Sequence, residues 1–167
     1  MTRRKRRKST NPFQQAVSDT PDLGGDAYCP GLRALTDEHR ERVEPGEVKI
    51  LGSVNIEETL HRRYPNEPHW DYAIGVQKGN MPYAVWLEVH PASTSNVSEV
   101  LSKLRWLKEW LSSQATQLHA LTPPQRAYHW IATNGVHVVP NSPQARQLAQ
   151  AGLTMPRRIL NLDALNL

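Results

Sequence analysis

Two stretches of alternating apolar and polar residues, separated by Gly79-Asn80, predict a β-hairpin between residues 70 and 90. Gly-Asn is a favoured two-residue hairpin turn, and its use sets the register of the two strands. Tyr72 then lies opposite Leu87. One face of the hairpin is apolar throughout and predicts a surface that packs on the core, formed by Tyr72, Ile74, Val76, Tyr83, Val85, Leu87 and Val89.

The other face of the hairpin carries charged residues at one end. Asp71 lies opposite Glu88, and His90, two residues further along the strand, points to the same side. Two carboxylates about 5 Å apart repel by about 3 kcal/mol at an effective dielectric constant near 20. If the site is partly buried, this repulsion requires a cation, a nearby base or a raised carboxyl pKa. If the face is fully solvated, it requires none of these.

The same face also carries small residues, Ala73, Gly75 and Ala84, which predict open space above the sheet. In that space, Asp71 and Glu88 would favour a hard cation such as Mg²⁺ or Mn²⁺, which engages phosphate oxygens. A metal or acid/base site and a solvated face are therefore the two interpretations of this surface.

A long amphipathic helix is predicted to follow the hairpin. Asn96 is the expected N-cap, with Glu99 three residues later as its capping-box partner. Trp106 and Trp110 flank the apolar stripe and are interpreted as packing residues or as a stacking surface for bases or a partner. The stripe itself follows the i, i+3, i+4 spacing of a helix: Val97, Val100, Leu101, Leu104, Leu107 and Leu111.

Shorter patterns predict the remaining elements. They are a helix from Thr36 that stops at Pro45-Gly46, a strand through Val48, Ile50, Val54 and Ile56, a second hairpin turning at Asn134-Gly135, a helix between Ser142 and Gly152, and a last strand over 156–162. The mixed order of helices and strands favours an α/β or α+β fold with a mixed sheet flanked by helices. We expect one domain over residues 31–167.

Residues 1–30 are predicted to form a flexible arm, because they contain few large apolar residues. Six of the 20 basic residues cluster at positions 3–8 of this arm, so the chain outside that cluster has 14 basic against 16 acidic residues. Such a cluster has two interpretations. It attracts the phosphates of nucleic acid by an electrostatic interaction that weakens with salt and does not depend on the base sequence, or it only keeps the chain soluble. The cluster consists of Arg3, Arg4, Lys5, Arg6, Arg7 and Lys8.

Cysteine content and hydropathy indicate in which cellular compartment the protein is expected. Cys29 is the single cysteine, which excludes a disulfide within the chain and fits a reducing cytoplasm. No apolar run approaches the roughly 20 residues that cross a bilayer, and no hydrophobic segment follows the basic N-terminus as in a signal peptide. We therefore expect a cytoplasmic protein that does not associate with membranes.

Histidines and arginines near the hairpin have two interpretations. His90 could serve as a ligand, a general base or a donor to phosphate. Arg62 and Arg63 precede Asp71 in a segment rich in histidine, which predicts either phosphate contacts or a polar loop. Isolated histidines elsewhere favour structural roles: His119, His129 and His137.

The Asp71 and Glu88-Val89-His90 pattern resembles the PD-(D/E)xK nuclease superfamily over about residues 35 to 135. The resemblance implies a restriction-endonuclease-like core of a helix, three strands, a helix and a strand. It also implies that Asp71 and Glu88 bind the catalytic Mg²⁺ or Mn²⁺. His90 stands where the family has lysine, and Trp70 stands where it has proline.

Further site residues follow from the same resemblance. In variants of the family the lysine's role moves to the following helix, where Lys103 is a candidate. An additional acid often comes from the first helix, where Glu38 and Glu41 are candidates. The implied function is metal-dependent phosphodiester hydrolysis of DNA or, less favoured, RNA. The alternative is a catalytically silent module that binds nucleic acid, a protein partner or a second copy of itself.

Overall fold

The computed structural model describes residues 10–167, which form a mixed α/β structure. The helices are α1 (Pro12–Ser18), α2 (Asp37–Arg40), α3 (Ile56–His61), α4 (Val97–Gln114), α5 (Thr116–Leu121) and α6 (Pro143–Gln150). The strands are β1 (Val43–Glu44), β2 (Lys49–Asn55), β3 (Tyr72–Lys78), β4 (Met81–Ala92), β5 (Tyr128–Val136) and β6 (Leu160–Asn161).

The main sheet has four strands in the order β2-β3-β4-β5. The first three strands are antiparallel neighbours, whereas β5 runs parallel to β4. A parallel pair needs a long crossover, and α4 and α5 form it. β1 and β6 make a separate two-stranded parallel sheet. The predicted mixed sheet flanked by helices is thus confirmed.

The predicted hairpin register is also confirmed. Tyr72 pairs with Leu87 and Lys78 pairs with Met81, with Gly79 at φ 60° in the turn between them. The apolar face packs into a core that includes Leu35, Leu160 and Leu162 from outside the hairpin. This register places Asp71, just before β3, opposite Glu88 in β4.

The opposite face of the sheet is filled rather than open. Phe13 of α1 lies directly on Gly75, where an added Cβ would come within 2.2 Å of the Phe13 Cγ atom. Phe13 and Trp86 are both fully buried. The open space predicted above Gly75 is therefore absent, because the Phe13 ring occupies it.

The prediction of a flexible arm over residues 1–30 is wrong for residues 11–29. Asn11 caps α1 by accepting a hydrogen bond from the Gln14 backbone at 2.8 Å, and Phe13 and Val17 anchor the helix in the core. Cys29 continues this segment by pairing with Ser53 at the edge of β2. The basic cluster at residues 3–8 lies outside the described residues.

The segment interpreted as one strand up to Ile56 is in fact β2 followed by a helix. Asn55 ends the strand, and its side chain accepts a hydrogen bond from the Glu58 backbone at 2.9 Å. Ile56 is buried at the start of α3, so its place in the alternating pattern was coincidental. This turn brings Glu57 toward the end of the hairpin.

The predicted second hairpin does not form. β5 runs through Asn134 and Gly135 without reversing, because it pairs in parallel with β4 as far as Val136. The predicted capping of α4 is also wrong, since the Asn96 side chain accepts from the Ser93 backbone at 3.0 Å. At Asn134-Gly135, pairing with β4 therefore overrides a local turn signal. At Asn96, the 3-10 turn that precedes α4 uses the side chain that was expected to cap the helix.

The shorter helices follow their predicted N-terminal signals. Thr36 accepts from His39 at the start of α2, and Ser142 accepts from Ala145 at the start of α6. α2 ends at Arg40, earlier than predicted, because the chain turns into β1. Gly152 follows α6 with φ 80°, the left-handed conformation that favours glycine after a helix.

Candidate functional site: a buried acid pair with one lysine

Two carboxyl groups and one ammonium group converge at the end of the hairpin. Asp71 precedes β3, Glu88 lies in β4, and Lys103 reaches them from the second turn of α4. The Lys103 Nζ atom donates to Glu88 Oε1 at 2.5 Å, and the Val89 backbone donates to Asp71 Oδ2 at 2.8 Å. The structure therefore brings together three of the four predicted catalytic residues.

The acid pair is buried. Glu88 is 0% exposed and Asp71 is 8% exposed, whereas ordinary carboxylates lie at the surface. Among the described residues, no group donates to Glu88 Oε2, which is also buried. An unpaired buried carboxylate oxygen is costly, and a proton, an ordered water or a ligand would offset that cost. The solvated-face interpretation is thereby excluded for these two residues.

Burial changes the protonation of both acids. It raises the pKa of Asp71 to about 6, against the opposing effects of the Val89 N–H group and Lys103. Burial and the neighbouring Asp71 charge raise the pKa of Glu88 well above its usual value, with Lys103 again opposing. One ammonium cannot neutralise two buried carboxylates, so the acid pair takes up a proton at a higher pH than exposed carboxyls do. Both a cation and raised pKa values therefore offset the repulsion expected between Asp71 and Glu88.

Lys103 remains charged in this environment. Burial alone would lower the pKa of Lys103, but the Glu88 and Asp71 carboxyls outweigh it and raise the pKa overall. Its side chain is only 16% exposed. A buried ammonium held against a carboxylate is a strong, charge-assisted hydrogen bond.

Glu57 is an acidic residue close to Asp71 that the sequence patterns did not reveal. It lies exposed in the first turn of α3, where its backbone approaches the Asp71 carbonyl oxygen at 3.4 Å and its charge raises the pKa of Asp71. Glu38 on α2 instead faces Arg42 at 3.6 Å, and Glu41 is exposed at the end of α2. No ion pair or hydrogen bond among the described residues links Glu38 or Glu41 to the acid pair, whereas the Glu57 backbone lies beside Asp71. The Asn55 cap was the signal that could have identified α3 and hence Glu57.

His90 is directed away from the acid pair. Its Nε2 atom lies 3.3 Å from Glu99 Oε2, and its ring packs edge-on against Trp130. Glu99 and Lys103 are one helical turn apart on α4, so His90 and Glu88 each face a different residue of that helix. Lys103, rather than His90, contacts the buried acid.

The predicted arginines have other contacts. Arg63 lies 3.1 Å from the buried Asp22 carboxylate, which also accepts hydrogen bonds from Tyr64 and Trp110. Arg62 lines a separate pocket on α3, beside Thr59. Neither arginine contacts the acid pair.

The tryptophan pair on α4 separates into two environments. Trp110 is 3% exposed, which confirms a packing role. Trp106 is half-buried, stacks on Trp110 with ring centroids 6.4 Å apart, and contacts the buried His69 ring at 5.1 Å. Burial lowers the pKa of His69, which also senses the charges of Glu57 and Lys103. His69, Trp106 and Trp110 thus form one aromatic cluster, of which Trp106 is the most exposed member.

No family model, curated protein or solved structure shows significant similarity to this chain. Within residues 10–167, no three His, Cys, Asp or Glu side chains are arranged to hold a metal ion. Carboxylate oxygens are the ligands that hard cations prefer, but Asp71, Glu88 and Glu57 do not form such a group of three. In the described part of the chain, no helix combines the length and apolar character needed to cross a membrane.

Proposed function

We propose that this protein is a metal-dependent nuclease that hydrolyses phosphodiester bonds in nucleic acid, with DNA favoured over RNA. The observation that carries the proposal is the convergence of Asp71, Glu88 and Lys103. Two buried acids with raised pKa values and a directed lysine are the kind of cluster found at catalytic sites.

The topology around the cluster supports a restriction-endonuclease-like core. β2, β3 and β4 are consecutive neighbours in the sheet, α4 follows them, and β5 adds in parallel. This is the order of three strands, a helix and a strand that the PD-(D/E)xK resemblance implies. The acids also lie on the predicted hairpin strands.

Asp71 and Glu88 would hold Mg²⁺ or Mn²⁺, since Mg²⁺ binds through one or two carboxylates and keeps several waters, and the unpartnered Glu88 Oε2 atom fits such a ligand role. The bound ion would stabilise charge on phosphate oxygens and activate water. Lys103 neutralises one carboxylate and is the ammonium available to donate to a phosphate oxygen. A proton on the acid pair must leave before both carboxylates can act as ligands.

The experiment is calorimetry with Mg²⁺ and Mn²⁺, together with cleavage of DNA and RNA. Asp71→Asn and Glu88→Gln should abolish both metal binding and cleavage, whereas Lys103→Met should reduce cleavage. Glu109→Gln removes an exposed acid from the same helix and serves as the matched control. Native protein that neither binds metal nor cleaves either substrate would refute the proposal.

The second candidate is a catalytically silent module that binds nucleic acid or a protein partner. The complete burial of Glu88 against Lys103 favours it, because the pair also serves as a structural contact. This candidate predicts salt-dependent DNA binding that needs residues 3–8 and is unchanged by Glu88→Gln. DNA binding without metal binding would therefore select it over the nuclease.

A further inference from the structure

A groove of about 680 Å³ lies between α4 and α6. Its polar walls are formed by Arg105 and Lys108 on α4 and by Gln147 and Gln150 on α6. Leu101 contributes apolar surface. The residues that line the groove include two cations and no acid, so its electrostatic character is positive.

The cations of the groove are not neutralised within the described structure. Neither Arg105 nor Lys108 has a carboxylate oxygen within 4.0 Å among residues 10–167. The undescribed residues 1–9 contain no acidic side chain either. Both groups are therefore available to an anion from solution.

Lys108 is held in place at the groove wall. Its Nζ atom donates to the Ala151 carbonyl at 2.6 Å and lies 5.3 Å from the centre of the Tyr128 ring. Burial lowers the pKa of Lys108, and no carboxylate compensates for the lost solvation. An ammonium that is positioned and partly desolvated is preorganised to bind an anion.

We propose that this groove binds a phosphate-bearing ligand of about mononucleotide size. Arg105 and Lys108 match a phosphate group, which arginine can bind through two hydrogen bonds. Gln147 and Gln150 supply amide donors and acceptors, and Leu101 supplies an apolar contact for a ring. The volume lies within the roughly 300–1,000 Å³ typical of small-molecule sites.

The groove is independent of the proposed nuclease site. Leu101, Arg105 and Lys108 lie on the side of α4 opposite Lys103, given about 3.6 residues per turn. Substitutions at either site should therefore leave the other intact. The phosphate ligand need not be the nuclease substrate.

The test is titration of the full chain with pyrophosphate, adenosine monophosphate and a short oligothymidylate, followed by amide NMR and calorimetry. Arg105→Gln/Lys108→Gln should weaken binding roughly tenfold or more, because two charge-assisted contacts are lost. Lys49→Gln/Arg158→Gln removes the same charge from two exposed positions elsewhere and should have little effect. This control separates the groove from general attraction by the basic N-terminus.

Shifts of the Leu101, Gln147 and Gln150 amides that disappear in the groove variant would establish the site. A larger loss for the monophosphate than for the oligothymidylate would assign it to free nucleotides, and an equal loss to a phosphate backbone. Equal binding by the groove variant and the control, or the absence of shifts at these amides, would overturn the proposal. Unchanged amide resonances outside the groove would show that the groove variant is folded.

Discussion

Lys103 donates a hydrogen bond to the fully buried Glu88, and this contact joins the middle of the long helix to the strand that carries the acid pair. The lysine offsets one buried negative charge, and the raised pKa values of the acid pair favour protonation of the other carboxyl. The folding stability of the protein and the protonation of the acid pair therefore depend on the same three side chains, Asp71, Glu88 and Lys103.

Lys103→Met should destabilise the protein by about 3 kcal/mol near pH 8, because Glu88 then either loses its counter-ion or must take up a proton. The loss should be smaller near pH 5, where protonation of Glu88 is easier. Urea denaturation at both pH values measures these changes. In a Glu88→Gln background the lysine substitution should cost much less, and an equal cost in both backgrounds would show that the ion pair is not the cause.

Asp71 and His129 should give opposite pH dependences of stability. The folded pKa of Asp71 is raised from 3.8 to about 6, so its contribution is present below about pH 4 and is lost as the pH rises to 6. Burial lowers the pKa of His129 from 6.5 to about 4, so its contribution is present above 6.5 and is lost as the pH falls toward 4. Each effect is worth about 3 kcal/mol.

Denaturation of Asp71→Asn between about pH 4 and 6.5 should reveal the His129 effect as a steeper rise of stability with pH. NMR titration of the His129 imidazole in the native protein provides the independent check, with a midpoint of about 4 expected. A normal midpoint near 6.5 would contradict the burial of this ring. An unchanged pH profile in Asp71→Asn would contradict the raised Asp71 pKa.

Phe13→Ala should cost about 3–5 kcal/mol, because it removes a fully buried ring and leaves a cavity above Gly75. Gln15→Ala in the same helix changes an exposed side chain and should stay within about 0.5 kcal/mol. Thermal or urea denaturation distinguishes them. Equal small effects would mean that α1 is not part of the folded core.

Mg²⁺ should raise the thermal stability more near pH 8 than near pH 5, if the proposed metal site exists, because protons compete with metal for Asp71 and Glu88. Glu88→Gln should abolish the metal effect at both pH values. Thermal scans with and without Mg²⁺ measure it. A stabilisation that persists in Glu88→Gln would place the ion elsewhere.

Local patterns determined the hairpin and its register. Strict alternation permits only one register that buries Tyr72 and Leu87, and Gly79-Asn80 supplies the matching turn. The juxtaposition of Asp71 and Glu88 follows directly from this register. Lys103 could be named as a candidate, but the rotation of α4 about its axis, which depends on packing, decided that it faces Glu88 while Glu99 faces His90.

Only the tertiary structure decided the remaining features of the site. Ile56 fits both an alternating strand and a buried helix start, so the pattern could not reveal α3 or Glu57. Phe13 occupies the space over Gly75 through a contact between residues 62 positions apart, which no local signal encodes. Burial then determines the acidity of the pair. In water Asp71 and Glu88 would have the usual carboxyl pKa values, whereas here the surrounding packing excludes solvent and raises both.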